Sequence, residues 1–206
     1  MLSLGFDRYQ RFRAAAQLLE QIAAGQALNI LEVGAFDNAF QPFVAGHQHQ
    51  CWQQLVRPGS PLPFTENEFE VSLALDVLEH VPLAERAFFI KELVRIAGRA
   101  TILGFPTQIA EAAEKFVLRL TGSAWLAQHQ ELGLPDKLET EQLFKHLGLS
   151  FSCHPNGALP SWTAMMLLMH GVQGDLRDEI SAFFNKHYYE LENREPAYRY
   201  IYILTK

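Results

Sequence analysis

Apolar residues recur at helical spacing early in the chain, at Phe12, Ala15, Ala16, Leu19 and Ile22, and predict an amphipathic helix over residues 6–24 stopped by Gly25. The period then changes. Short apolar runs over 28–33, 69–75 and 101–105 predict strands buried on both faces. Between the last two of these, residues 83–97 return to helical spacing and end at Gly98. Strand, helix and strand in that order imply parallel pairing through a right-handed crossover, so the pattern predicts an α/β fold. After Pro106 helical segments dominate, over 109–120, 125–130 and 139–147. A strand over 149–153, helices over 161–171 and 176–188, and a β-branched and aromatic strand over 198–204 complete the pattern. No repeat or linker interrupts it, which predicts one domain over 1–206, with helical additions at 107–135 and 157–196.

Composition narrows the function classes. With 206 residues and 49% hydrophobic, the chain can bury a full core. Seventeen basic against 23 acidic residues give a net charge of −6. A nucleic-acid surface needs clustered Lys and Arg, so a small-molecule partner is expected and no nucleic acid. Cys51 and Cys153 have no paired spacing, and Asp7, Arg8, Arg11 and Arg13 stand where a signal peptide would be apolar. The apolar cluster 165–169 is too short to span a bilayer. A cytoplasmic protein without membrane insertion is expected. Trp162, Met165, Met166 and Met169 would suit a lid or a homodimer face.

Candidate chemistry gathers at strand ends. Gly34 follows the first strand in Ile30-Leu-Glu-Val-Gly-Ala35, where a glycine admits a ligand close to the backbone. Glu32 is a carboxylate in an apolar strand, costly to bury unless hydrogen-bonded. Asp76-Val-Leu-Glu79-His80 ends the next strand of the core. Asp76, Glu79 and His80 offer metal-type donors, but no second His motif lies nearby and no metal is expected. Residues 47–55 are the plausible strand between the first strand and Leu62, and within it His47, His49 and Cys51 alternate, which fits either a zinc site or a polar edge strand, and no fourth ligand has the needed spacing. Trp125-Leu-Ala-Gln-His129 precedes a Gly/Pro-bounded turn, and His129 can act as a proton acceptor or be a surface helix residue.

Taken together, Leu-Glu-Val-Gly34, Leu62-Pro63-Phe64 and Asp-Val-Leu-Glu-His80 resemble the small-molecule, type 11 branch of the class I S-adenosylmethionine-dependent methyltransferases. Trp-Leu-x-x-His129 and Arg-Glu-Pro-Ala-Tyr-Arg199 extend the resemblance over nearly the whole chain. It implies a Rossmann-like, mostly parallel sheet with helices on both faces and an antiparallel last strand, here with a helical insertion before it. The linker from Gly34 to Leu62 is too short for two full strand–helix units, so the sheet is expected to be shortened there. Implied for the cofactor S-adenosylmethionine, and its product S-adenosylhomocysteine, is a site of Glu32, Gly34, Ala35, Asn38, Gln54, Leu62, Pro63, Phe64, Asp76 and Val77. His129 and His80 are the implied catalytic residues, acting on an oxygen or nitrogen of a small acceptor, with a saccharide among the candidates. Three positions depart from the family pattern: Phe36 replaces a second glycine, Gln53 and Gln54 replace a ribose-binding acid, and Pro58 replaces an adenine-reading Asp. A catalytically decayed binding or structural protein is the alternative. Gly34→Val is expected to abolish cofactor binding with the fold intact.

Overall fold

The computed structural model describes residues 2–54 and 56–206. Helix α1 (Phe6–Ala23) precedes strands β1 (Asn29–Val33), β2 (Gln48–Trp52) and β3 (Phe69–Leu75). Then come α2 (Leu83–Ile96), β4 (Ala97–Pro106), α3 (Glu111–Thr121), α4 (Ala124–Leu132) and α5 (Lys137–His146). The chain finishes with β5 (Ser150–Ala158), α6 (Leu159–Gly171), α7 (Asp175–His187) and β6 (Ala197–Thr205). One six-stranded sheet has the order β2-β1-β3-β4-β6-β5. Its first four strands are parallel, and β6 runs antiparallel to both β4 and β5. The chain moves outward from β1 to β2 and returns on the other side of β1 as β3. That reversal opens a crevice beyond the carboxyl ends of β1 and β3.

Period-two alternation divides the strands' side chains between two cores. Ile30, Val71, Leu73, Ile102 and Ile201 face α1, against Phe12, Ala15, Ala16 and Leu19. Leu31, Val33, Leu103, Phe105, Tyr200 and Tyr202 face α2 and α5, against Phe89, Ile90, Leu93 and Phe144. Helix α1 stops where Ala24 and Gly25 turn left-handed. Helix α5 starts on Asp136, whose carboxylate accepts from the Glu139 amide at 2.9 Å.

The sheet is shortened as expected: between β2 and β3 no further strand occurs among the described residues, and β2 forms the edge. Boundaries shift in three places. The expected strand over 47–55 is confined to Gln48–Trp52, and Leu55 lies outside the described residues. Gly98 does not end α2 but sits inside β4, which starts directly at Ala97. Strand β5 runs on through Pro155 to Ala158, because an edge strand tolerates a residue that cannot donate to the ladder.

The helices within 107–135 and 157–196 pack together over the crevice. Val117, Leu126 and Leu134 meet Trp162 and Tyr198 in one cluster. Phe6 at the start of α1 meets Met165 and Met169 of α6, with Ile180 and Phe184 of α7 against them. No helix among the described residues is long and apolar enough to cross a membrane.

Candidate functional site

A cavity of about 510 Å³ lies beyond β1 and β3, between α1, α4 and α6. Asp76 closes its floor. The residue directly follows β3 in a left-handed conformation (φ 53°), held by its amide donating to the Gly104 carbonyl at 2.8 Å. That turn delivers the carboxylate to two guanidinium groups. Arg199 of β6 donates from Nε (2.8 Å) and Nη2 (2.6 Å), and Arg11 of α1 donates from Nη1 (2.7 Å). Asp7 completes the cluster, accepting from Arg199 Nη2 at 2.7 Å and from Trp162 Nε1 at 2.9 Å. Arg199 is fully buried (0% exposed), so only a multiply paired guanidinium is tolerable there. Burial works to raise the Asp76 pKa, but Arg199 and Arg11 together hold it below the usual carboxylate range. Arg11 Nε is buried and has no hydrogen-bond partner.

A second polar cluster lines the wall opposite. The short turn Leu78–His80 after β3 carries Glu79 and His80, and α4 carries His129. His129 is buried (5% exposed), so its side chain is no surface group. Its Nδ1 lies 2.9 Å from Glu114 Oε1, which also accepts from the Tyr198 hydroxyl at 2.8 Å. Its Nε2 lies 3.4 Å from His80 Nε2. Burial, followed by the neighbouring His129, pushes the His80 pKa down to about 4. Glu79 is 1% exposed, and its Oε2 has no partner. Burial and then the Asp76 charge raise its pKa well above the usual carboxylate value.

The structure brings Glu32, Gly34, Ala35, Asp76, His80 and His129 to this one cavity. The other expected cofactor residues stand elsewhere. Val77 packs beneath Gly34, and a Cβ built on Gly34 would lie 2.6 Å from Val77 Cγ2. Leu62 and Phe64 are strapped onto α2: Glu92 accepts from the Leu62 amide (3.0 Å), and Arg95 donates to the Leu62 (3.0 Å) and Phe64 (2.7 Å) carbonyls. Leu62 is thereby buried in the core, while Pro63 and Gln54 line a separate cavity of about 230 Å³. Asn38 is exposed near Cys51, whose thiol lies 3.4 Å from Asn38 Oδ1. The alternating trio divides as well. His47 accepts from the Leu28 amide (3.1 Å), whereas His49 meets Glu32 at 3.0 Å, giving that strand carboxylate the partner its burial demands. Trp162, Met165 and Met169 face the cavity rather than a free surface, which withdraws them from a dimer face.

Sequence reasoning assigned no role to Glu114, Asp7, Arg11 or Arg199. For Glu114 a signal existed: Ala110, Glu114 and Val117 share one helical stripe, placing a carboxylate among apolar residues. The ion cluster had none, since its members lie up to 192 residues apart.

The cavity fits the methionine half of S-adenosylmethionine. Arg11 Nε is an uncommitted donor for a carboxylate, Gly34 and Ala35 bring backbone to the surface, and the acidic wall suits a sulfonium. Gln54, expected from the sequence at the ribose, lies outside it.

No family model matches the sequence, and no curated protein matches it. Solved structures do. The plantazolicin methyltransferase BpumL, in complex with a triazolic desmethylPZN analog and S-adenosylhomocysteine, superposes with a TM-score of 0.59 at 10% identity, covering 100% of this chain and 89% of that one. Magnesium protoporphyrin IX methyltransferase from Synechocystis PCC 6803, with bound S-adenosylhomocysteine, gives 0.60 at 12% identity over 97% and 84%. A possible histamine N-methyltransferase from Thermotoga maritima gives 0.54 at 15% identity over 98% and 94%. The sheet order, the antiparallel β6 and these superpositions together show that the chain has the fold of the Rossmann-like S-adenosylmethionine-dependent methyltransferases.

Proposed function

We propose that the protein is an S-adenosylmethionine-dependent methyltransferase acting on an oxygen or nitrogen of a small acceptor. One observation carries the reading: a single cavity joins the crevice at Gly34 and Asp76 to the buried Glu114–His129–His80 cluster. The bound cofactor supplies an electrophilic methyl group. Arg11 Nε and the Gly34–Ala35 backbone hold its carboxylate, and Glu32 and Asp76 form the acidic floor. His129 faces the acceptor. With Nδ1 tied to Glu114, it keeps Nε2 for the proton that the acceptor loses, and the Glu114 carboxylate stabilises the imidazolium that results. His80, with its depressed pKa, stays a neutral neighbour at neutral pH.

The lining favours an acceptor with an apolar body. Phe6, Phe12, Trp162, Met165, Met166 and Met169 supply an apolar part of the wall beyond the two polar clusters. Trp125, 54% exposed and edge-on to Phe36, stands at the mouth and can stack on a flat acceptor or a sugar face. A non-catalytic binding protein is the second reading, favoured by the internal pairing of Glu32 and Asp76 and the remoteness of Gln54.

Calorimetric titration with S-adenosylhomocysteine separates the two. We expect binding in the high micromolar range, on the order of −5 to −6 kcal/mol, because neutral glutamines replace a charged ribose acceptor. His129→Ala should leave that affinity unchanged and lower methyl transfer about a hundredfold or more. Absence of binding would remove the enzyme reading.

A further inference from the structure

We infer that Glu79, His80 and His129 form a binding site for one divalent transition-metal ion on the acceptor side of the cavity. Their ligand atoms all lie within 4.8 Å of one another. The two Nε2 atoms are separated by 3.4 Å. Two imidazole nitrogens at tetrahedral positions, each roughly 2.0–2.1 Å from a common ion, would stand about that far apart. Glu79 supplies the hard donor. Its Oε2 is buried without a partner, a costly arrangement for a polar atom that a cation would relieve. Two imidazoles and one carboxylate match the donor set of catalytic sites that keep a position open for a substrate oxygen.

Around His129 the surroundings are arranged as for a ligand of such an ion, while His80 Nδ1 is buried without a partner. A ligating histidine needs its other nitrogen anchored, and Glu114 anchors His129 Nδ1 at 2.9 Å while Tyr198 fixes Glu114 in turn. Glu114 is 0% exposed, so it serves no solvent-facing purpose. A site of this composition takes zinc, manganese or cobalt(II) in preference to calcium. The inference rests on the proposed function only for its consequence. With the ion bound, His129 Nε2 is a ligand, and an acceptor hydroxyl coordinated to the ion gives its proton to solvent water instead.

The test uses the untagged full chain without cofactor, titrated with Co²⁺ and Zn²⁺ by absorption spectroscopy and calorimetry. One ion per chain is expected, with the visible d–d bands of a four- or five-coordinate Co²⁺ site. Glu79→Gln, His80→Ala and His129→Ala should each abolish those bands, and the positioning variant Glu114→Gln should weaken affinity about 10- to 100-fold while keeping them. Circular dichroism of each variant confirms that it is folded, and any that is not is replaced by His129→Gln, for which the same loss is expected. No bands, or equal affinity in wild type and ligand variants, would overturn the inference. So would binding lost in Cys51→Ser but kept in Glu79→Gln, which would move the ion to the Glu32–His49–Cys51 cluster. Because the titration needs no cofactor, its failure leaves the S-adenosylhomocysteine result untouched, and the reverse also holds.

Discussion

Gly34 illustrates how one residue type can serve two causes at the same position. Its φ of +86° and the 2.6 Å approach of a built Cβ to Val77 Cγ2 make glycine obligatory for packing, whatever ligand lies above it. The expectation that Gly34→Val tests ligand binding alone is therefore corrected, because the intruding methyls would meet Val77 inside the fold. Gly34→Ala should destabilise the protein by about 1–3 kcal/mol in urea unfolding. Adding Val77→Ala should restore part of the loss, and no restoration would assign the cost to φ alone. Residues whose role is set by local backbone were legible in the sequence: Gly34 at a strand end, and Asp76 after an apolar run. Those whose role depends on a distant partner were not, as Arg199 shows, since nothing near residue 199 announces two carboxylates contributed by α1 and β3.

Among the elements, α2 anchors a segment that the sequence pattern gives to the cofactor. Leu62-Pro63-Phe64 reads as a cofactor edge, yet Glu92 and Arg95 bind its backbone to the last turns of α2. The Arg95 hydrogen bonds, working against burial, hold the Glu92 carboxyl below its ordinary value of 4.5. A carboxyl depressed in the folded state contributes stability above its unfolded pKa and loses it as pH falls through the folded one. Glu92→Gln should thus lower thermal stability at neutral pH, with the gap to wild type closing as pH drops below about 4.5. A gap independent of pH would show that the Glu92 charge is not what stabilises the strap, and no gap at any pH would leave the strap to Arg95 alone. The elements themselves were readable wherever apolar period was uniform, as in α1, β3 and β6. They were misjudged where a glycine or proline sits inside a strand, because Gly98 and Pro155 signal a break that strand pairing overrides.

At the scale of the molecule, α1, β3 and β6 converge on one buried ion cluster. Removing Arg199 would leave Asp7 and Asp76 facing Arg11 alone, and Arg199→Met should cost roughly 3–5 kcal/mol in urea unfolding. Arg199→Lys should recover little of this, since a point charge cannot reproduce the paired contacts to Asp76. A loss well below that range would show that Arg11 suffices. Strand β6 also lies between β4 and β5, so each of those strands has an unpaired edge without it. During synthesis the carboxylates at 7 and 76 therefore emerge long before the guanidinium at 199, and the sheet stays split until β6 leaves the ribosome. Until β6 has emerged, the nascent polypeptide must be kept from pairing its open edges with other chains.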